Sequence, residues 1–345
     1  MGSLVVTSIE ASTTQVHKSS LIWCRYRCIY NLHFPEEQKI RKMAPSAIAD
    51  LLPSGPLTSK SVKPAEEHHV HGMQDKTPIA AISHGDVMLP GVPTFTDFAA
   101  QRQWQLEHMA AAFRHWSREG YVEGIAGHIS VRDPEHEDVF WTNPLGVHFG
   151  LLKASDMIAV NFDGKVVGGN RTRPPNAAGF LIHSEVHKAR PDVHAVCHAH
   201  TVYGKAWSCF GRPLEMLTQD SCKFYKSHSV YNSYGGVVFA SEEGAEIAKA
   251  LGPTNKACIL RNHGLLTVGK TVDEAAFLFL SAEHACQGQL LAEAASQGGR
   301  IEKVLISDEE ADYTNRMESD PETCYAEFQA YYDWEMHHTK GDFKN

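Results

Sequence analysis

Within "PTFTDFAAQRQWQLEHMAAAFRHWSREG", apolar residues recur at Leu106, Met109, Ala110, Phe113 and Trp116, a spacing that predicts one helical stripe stopping at Gly120. Short strand-like runs follow: "HISVR", "DVFWTN" and "MIAVNF", the last leading through "DGK" into "VVGG", a hairpin signal. "NAAGFLIHSEVHKARPDV" reads as a helix broken before Pro191. Then come a strand at "HAVCHAH", a helical "TVYGKAWSCFG" and a strand at "GGVVFAS". "SEEGAEIAKALG" is a helix with Ser241 as N-cap, acids in its first turn and Gly252 at its end. "KACILRNHGLLTVG" gives two strands around "NHG". A long helix, "TVDEAAFLFLSAEHACQGQLLAEAAS", opens with the capping box Thr271-x-x-Glu274. Helices and strands interleaving from about residue 94 to 300 predict one α/β domain whose helices cover a sheet.

The flanks differ. Residues 1–92 are rich in Ser, Pro, Lys and His without sustained periodicity, which predicts a mostly disordered arm. Inside it "LIWCRYRCIYNLHF" fits no element, and Met43 follows directly, so translation is expected to start at Met43. Residues 301–345 predict a helical tail, with Tyr325, Tyr331, Tyr332 and Trp334 packing a terminal helix. The expected division is therefore an arm over 1–92, a domain over 93–300 and a tail over 301–345.

Composition narrows the class. A hydrophobic share of 43% and a charged share of 21% over 345 residues are those of a globular protein. A net charge of −9 and the lack of a basic stripe argue against nucleic acid as a partner. No apolar run approaches a membrane span, and the N-terminus matches neither a signal peptide nor, with Val6, a myristoylation site. Eight scattered cysteines without a C-x-x-C pair predict free thiols in a reducing compartment, hence a cytoplasmic protein.

The chemistry concentrates in "DVHAVCHAHTVYG". On a strand, residues two apart share a face, so His198 and His200 project together while Cys197 points into the core as an unreactive thiol. The pair alone is weak, because with 21 histidines an H-x-H arises about once by chance, and "HHVH" at 68–71 holds another. His263, in the "NHG" turn, reads by itself as either a turn histidine bonded to backbone or a metal ligand. On the helix before the strand, His183 and His187 share a face, while Glu185 lies about 200° round from His183.

Taken together, "GIAGHISVRDP", "RPDVHAVCHAH" and, about sixty residues on, "CILRNHGLLTVGKTVDEAAF" resemble the class II aldolase/adducin family over roughly residues 100–300. That family includes sugar-phosphate aldolases, epimerases, dehydratases, decarboxylases and the non-catalytic head domain of adducin. The resemblance implies a three-layer α/β/α domain and a homotetramer with active sites at subunit interfaces. It also implies one divalent metal per chain, zinc first and Mn, Fe, Co or Ni as alternatives, held by His198, His200 and His263.

Departures from the family bear on the substrate. In the sugar-phosphate aldolases a catalytic Glu precedes the first metal histidine by nineteen residues, where this chain has Gly179, and Ala177 and Ala178 replace the serines that hold phosphate. The family's Gly-Asn is Gly127-His128, and "TNPLG", Thr142 to Gly146, replaces its Thr-Pro-Ser-Gly turn. A sugar phosphate is therefore not the expected substrate. "N-A-A-G-F" with "RPDV" is nearer to adducin, which does not keep the metal triad that this chain has. The expectation is a metal-dependent lyase, cleaving by retro-aldol reaction or decarboxylation a small non-phosphorylated hydroxy-carbonyl compound or aromatic acid. A non-catalytic adducin-like binding module, and an epimerase or dehydratase, are the alternatives. His183, His128 and Glu185 are the candidate proton-transfer residues, and His148, Gln219 and Asn143 the candidate substrate contacts. Gln219 stands where a family aldolase has a tyrosine reaching the neighbouring subunit's site, with Tyr225 and Tyr231 close by in sequence.

Overall fold

The computed structural model describes residues 76–237, 241–297 and 301–345. The expected start at Met43 and the expected disorder of 1–75 lie outside them. Among the described residues eight strands form one sheet: β1 (His128–Arg132), β2 (Val139–Thr142), β3 (Ile158–Asn161), β4 (Val166–Gly169), β5 (Ala195–Ala199), β6 (His228–Tyr231), β7 (Ala257–Leu260) and β8 (Gly264–Gly269). Their order is β4-β3-β2-β1-β5-β8-β7-β6, antiparallel throughout except for the β6–β7 pair.

In the same described residues seven helices accompany the strands, besides a single turn at Pro78–Ile82 and short 3-10 turns: α1 (Phe98–Arg118), α2 (Ala177–Ala189), α3 (Val202–Ser208), α4 (Ser241–Leu251), α5 (Val272–Ser296), α6 (Asp308–Glu318) and α7 (Pro321–Thr339). α2 and α4 cover one face of the sheet, packing Ile182, Val186, Ile247 and Leu251 on Val196, Leu266 and Val268. α1, α5 and α7 cover the other, where Met109, Phe113, Trp116, Phe279 and Phe328 meet Ile129, Val131, Ala195 and Cys197. The result is the expected three-layer α/β/α arrangement. Strand alternation carries it: Cys197, fully buried in the α1/α5 layer, faces away from His198.

The helix starts follow the sequence signals. The Asp97 carboxylate accepts from the Ala100 N–H, Asn176 from Gly179 and Thr271 from Glu274. Only half of the expected capping box at α5 forms, because the Glu274 carboxylate takes the N–H of Lys270 instead, at 2.7 Å. The expected strand "GGVVFAS" is absent over 235–237, and 238–240 are outside the described residues; β6, formed by "HSVY", holds the sheet edge beside β7. α7 lies on α1 and α5 with Tyr325 and Phe328 buried, and the single turn at 78–82 rests against it. Among the described residues no helix is long and apolar enough to cross a membrane.

Candidate metal centre

β5 runs antiparallel between β1 and β8, and this sets His198 opposite His128 on one side and Leu266 on the other. His200 follows at the strand's end, and His263 sits in the β7–β8 turn, where Asn262 adopts a left-handed φ of 59°. Gly264 lets that turn close on β5: a Cβ there would stand 3.1 Å from the Ala199 carbonyl oxygen. One ring nitrogen from each of His198, His200 and His263 lies within 4.8 Å of the others. The rings meet at 70–82° with centroids 4.8–5.1 Å apart, so they converge edge-on instead of stacking.

Tautomer and charge follow from the surroundings. His198 Nδ1 is 2.8 Å from the Leu265 carbonyl oxygen, an acceptor only, so Nδ1 carries the proton and Nε2 keeps its lone pair. The Nε2 atoms of His200 and His263 stand 3.0 Å apart. Burial pushes the pKa of all three below the ordinary histidine value, that of His263 to about 4, and the neighbouring imidazoles lower His198 and His263 further. Three neutral imidazoles aimed at a common point fit a divalent cation with an open coordination position. The Glu123 carboxylate, whose charge acts on His200, is taken up by Lys205 Nζ at 2.6 Å.

The triad lines a cavity of about 600 Å³. Its walls are mostly apolar, with Ile125, Leu145, Ile182 and Val237, and Lys205 supplies a cation. Ala177 and Ala178, at the start of α2, offer methyl groups and no hydroxyl. At Gly179 a Cβ would fall 2.6–2.9 Å from the ring of His128, so the space that a side chain at 179 would need is already filled by that imidazole. His128 leads into a buried chain: its Nδ1 is 2.7 Å from His183 Nε2, His183 Nδ1 is 2.6 Å from Ser130 Oγ, and Ser130 Oγ is 2.8 Å from His187 Nε2.

A carboxylate on the other side of the sheet holds the strand end that carries His200. Glu283, buried on α5, accepts from the N–H groups of Tyr203 (2.8 Å) and Gly204 (2.6 Å) and from the Thr201 hydroxyl, and so caps α3. Sequence reasoning missed Glu283, Ser130 and Lys205. For Ser130 a signal existed, since His128 and Ser130 share a strand face as His183 and His187 share a helix face.

The other candidates lie apart from this cavity within the single chain. Glu185 pairs with Lys188 at 2.7 Å and packs toward Gly244 of α4. Asn143 is buried beside Thr142, whose hydroxyl is 3.4 Å from its side-chain oxygen. His148 is exposed and accepts from the Gly150 N–H through Nδ1 at 3.1 Å. Gln219, also exposed, donates to Glu318, and neither Tyr225 nor Tyr231 lines the cavity. Among the described residues a second convergent group, Asp133, Glu135 and His136, is structural. Burial would raise the Asp133 pKa, but hydrogen bonds from Arg102, Trp141 and two backbone N–H groups hold it at about 2.

Comparisons with known proteins agree with this geometry. Residues 107–290 match the model of the class II aldolase and adducin N-terminal domain. Over 213 residues the chain is 46% identical to 4-hydroxy-3-prenylphenylpyruvate oxygenase/4-hydroxy-3-prenylbenzoate synthase of Streptomyces roseochromogenus subsp. oscitans, covering 61% of this chain and 76% of that protein. Over 219 residues it is 45% identical to decarboxylase NovR of Streptomyces niveus, covering 63% of this chain and 80% of that one. Among solved structures, L-fuculose 1-phosphate aldolase from Glaciozyma antarctica PI12 superposes with a TM-score of 0.67 at 41% identity, over 74% of this chain and 97% of that one. With the matching domain spanning more than half of its length, the chain belongs to the class II aldolase and adducin family.

Proposed function

We propose that the protein is a metal-dependent lyase of the class II aldolase type that decarboxylates, or cleaves by retro-aldol reaction, a small non-phosphorylated aromatic or hydroxy-carbonyl acid. The observation that carries this reading is the convergence of three neutral imidazoles, His198, His200 and His263, on one wall of a largely apolar cavity. A divalent cation there, zinc first among the candidates, supplies Lewis-acid stabilisation for negative charge developing on a substrate oxygen. The chain's own groups do the rest. The His198 Nδ1–H bond to the Leu265 carbonyl fixes that ring with its lone pair inward. Lys205 offers a counter-charge for a substrate carboxylate, exchanging it for Glu123. Apolar walls at Ile125, Leu145 and Ile182 exclude water and suit an aromatic body.

One relative named a decarboxylase supports the loss of carbon dioxide, and one named for a phenylpyruvate and a benzoate supports the aromatic acid. The superposed structure is named for a phosphorylated sugar, and here the wall is methyl groups at Ala177 and Ala178, few partners for a dianion. Exposed apolar side chains at Ile125 and Val237, which line the cavity, support self-association beside it, and a cytoplasmic homotetramer is the assembly proposed. In it Asn143, His148 and Gln219 would serve a substrate at the interface, Gln219 from the neighbouring subunit. His183 and His128 are the proposed proton-transfer pair, His128 being the one at the cavity wall.

The test is elemental analysis of chelator-free protein beside His198→Ala and His263→Ala, followed by carbon dioxide release from aromatic 2-oxo and hydroxy acids, with L-fuculose 1-phosphate as the comparison substrate. Reactions run in air and without oxygen, with zinc and with iron, because one relative is named an oxygenase. About one metal per chain in the wild type, lost in both variants, is expected. A protein that takes up no metal would defeat the lyase reading in favour of a binding module, and turnover of the sugar phosphate alone would defeat the substrate class.

A further inference from the structure

Each of the three converging histidines is tied to α3, a helix that contains none of them. His200 comes one residue before its N-cap, Thr201. His198 is held at Nδ1 by the Leu265 carbonyl, and the Leu265 side chain lies so close against α3 that a Cβ at Gly204 would stand 2.7 Å from it. At the other end of α3 the Ser208 carbonyl accepts from the N–H of Asn262, the residue before His263, at 3.2 Å. α3 thus spans the strand end and the turn that present His200 and His263. A shift of this helix moves the one ring relative to the other.

What seats α3 therefore matters, and its seven residues are too few to hold a helix by themselves. An N-cap threonine ordinarily accepts from an N–H of the first turn, yet the Thr201 hydroxyl makes no such bond. It donates instead to Glu283 of α5. The same carboxylate accepts from the N–H groups of Tyr203 and Gly204, at 2.8 and 2.6 Å, the two donors that an N-cap side chain would have taken. Glu283 is 2% exposed and lies 79–82 residues away along the chain from these partners. It meets two N–H groups and a hydroxyl, with no cation among them. Only a carboxylate suits that set, because an amide has one oxygen and would turn its NH2 toward a donor.

We propose that Glu283 is a positioning residue for the metal: by seating α3 from α5, it sets the separation of His200 and His263, and with it the affinity of the centre for a divalent cation. Its side-chain bonds go to Thr201, Tyr203 and Gly204, and it acts through the backbone that these share with His200. The inference rests on the metal reading of the triad and not on the reaction assigned to it.

The experiment compares the full-length wild type with Glu283→Gln, Thr201→Val and Thr201→Ser. Zinc affinity is measured by competition with a chromophoric chelator, cobalt(II) spectra report the coordination, and crystals of the metal-free proteins report the ring positions. Glu283→Gln should bind zinc about 10–100-fold more weakly, the loss typical when a group that orients metal ligands is removed. Its cobalt bands should change, and the Nε2 atoms of His200 and His263 should stand further apart than the 3.0 Å of the wild type. Thr201→Val removes one of the three donors and should weaken zinc binding by less, whereas Thr201→Ser keeps the hydroxyl and should bind as the wild type does. His108→Ala, destabilised on the other face of the sheet, controls for a merely structural loss, and the zinc affinity of its folded fraction should not move. Wild-type affinity and unmoved rings in a folded Glu283→Gln protein would overturn the proposal. Where that variant does not fold, Thr201→Val decides, and wild-type affinity there overturns it equally. A wild type that takes up neither zinc nor cobalt defeats the metal reading and the affinity claim together, whereas metal held equally by the wild type and every variant defeats the role of Glu283 alone.

Discussion

The two faces of the sheet bury histidines to the same degree and use them differently. Toward α2 lie His128, His183, His187 and His198, whose bonded nitrogens meet other imidazoles, the Ser130 hydroxyl or, for His198, the Leu265 carbonyl, with no carboxylate among the partners. Toward α7 lie His108 and His115. His108 Nδ1 is 2.6 Å from the fully buried Asp273 carboxylate, and its ring stacks on Tyr332 at 4.1 Å. His115 stacks on Tyr331 at 4.3 Å with neither ring nitrogen bonded. Burial does not separate a site from a core. The partner does: a carboxylate or an aromatic face commits a ring to packing, while a set of lone pairs without a carboxylate leaves it free for a cation or a ligand.

The sharpest way to break this contrast is to truncate one ring on each face. His108→Ala leaves the Asp273 carboxylate buried with Gln329 as its remaining side-chain partner among the described residues, and should cost about 3–5 kcal/mol in urea unfolding. Metal content of the surviving folded protein should stay at the wild-type level, opposite to the loss expected for His198→Ala. Metal lost from the folded His108→Ala protein would show that the two faces are not independent.

Gly179→Ala tests the packing on the α2 face. Its new methyl would sit 2.6 Å from the His128 ring, so the imidazole must move, at about 1–3 kcal/mol. A crystal structure of the variant should show the ring displaced. A ring left in place with undiminished stability would refute the claim that His128 occupies the room for a side chain at 179.

Acid should expose the α2 face further. Burial holds the pKa of His187 down at about 3, against 6.5 for the ordinary side chain. Between those values the unfolded chain binds the proton and the folded chain does not, so stability falls as the pH drops from 6.5 toward 3, by about 1.4 kcal/mol per unit for this group. Urea midpoints of His187→Gln should therefore decline less steeply between about pH 7 and 5 than those of the wild type. Equal slopes would remove His187 from the acid sensitivity.

The smallest effect is expected at Glu185, whose carboxylate faces Lys188 and α4. Glu185→Ala should change stability by no more than about 0.5 kcal/mol and leave the metal in place. Loss of metal there would place Glu185 in the site after all.

What the sequence by itself determined is local. The 3.6-residue stripe of α1, the alternation that sends Cys197 one way and His198 the other, and the caps at Asn176 and Thr271 depend on residues within a few positions of each other. The convergence of the three histidines was legible for a different reason: H-x-H and N-H-G are short motifs, and the resemblance joined them across about sixty residues. The edge strand β6 was not legible, because "HSVY" has no clear alternation and gains its partner only when β7 lies parallel to it. Tertiary structure alone decided the rest. Sheet order β1-β5-β8 put His128 against His198 and brought Ser130 between two histidines more than fifty residues away. It also set Glu283 of α5 beneath the end of β5 and α7 across α1, folding the expected tail into the main core. A hydrogen bond or a filled volume between distant segments leaves no period in the sequence, since either partner can be spaced anywhere the chain allows.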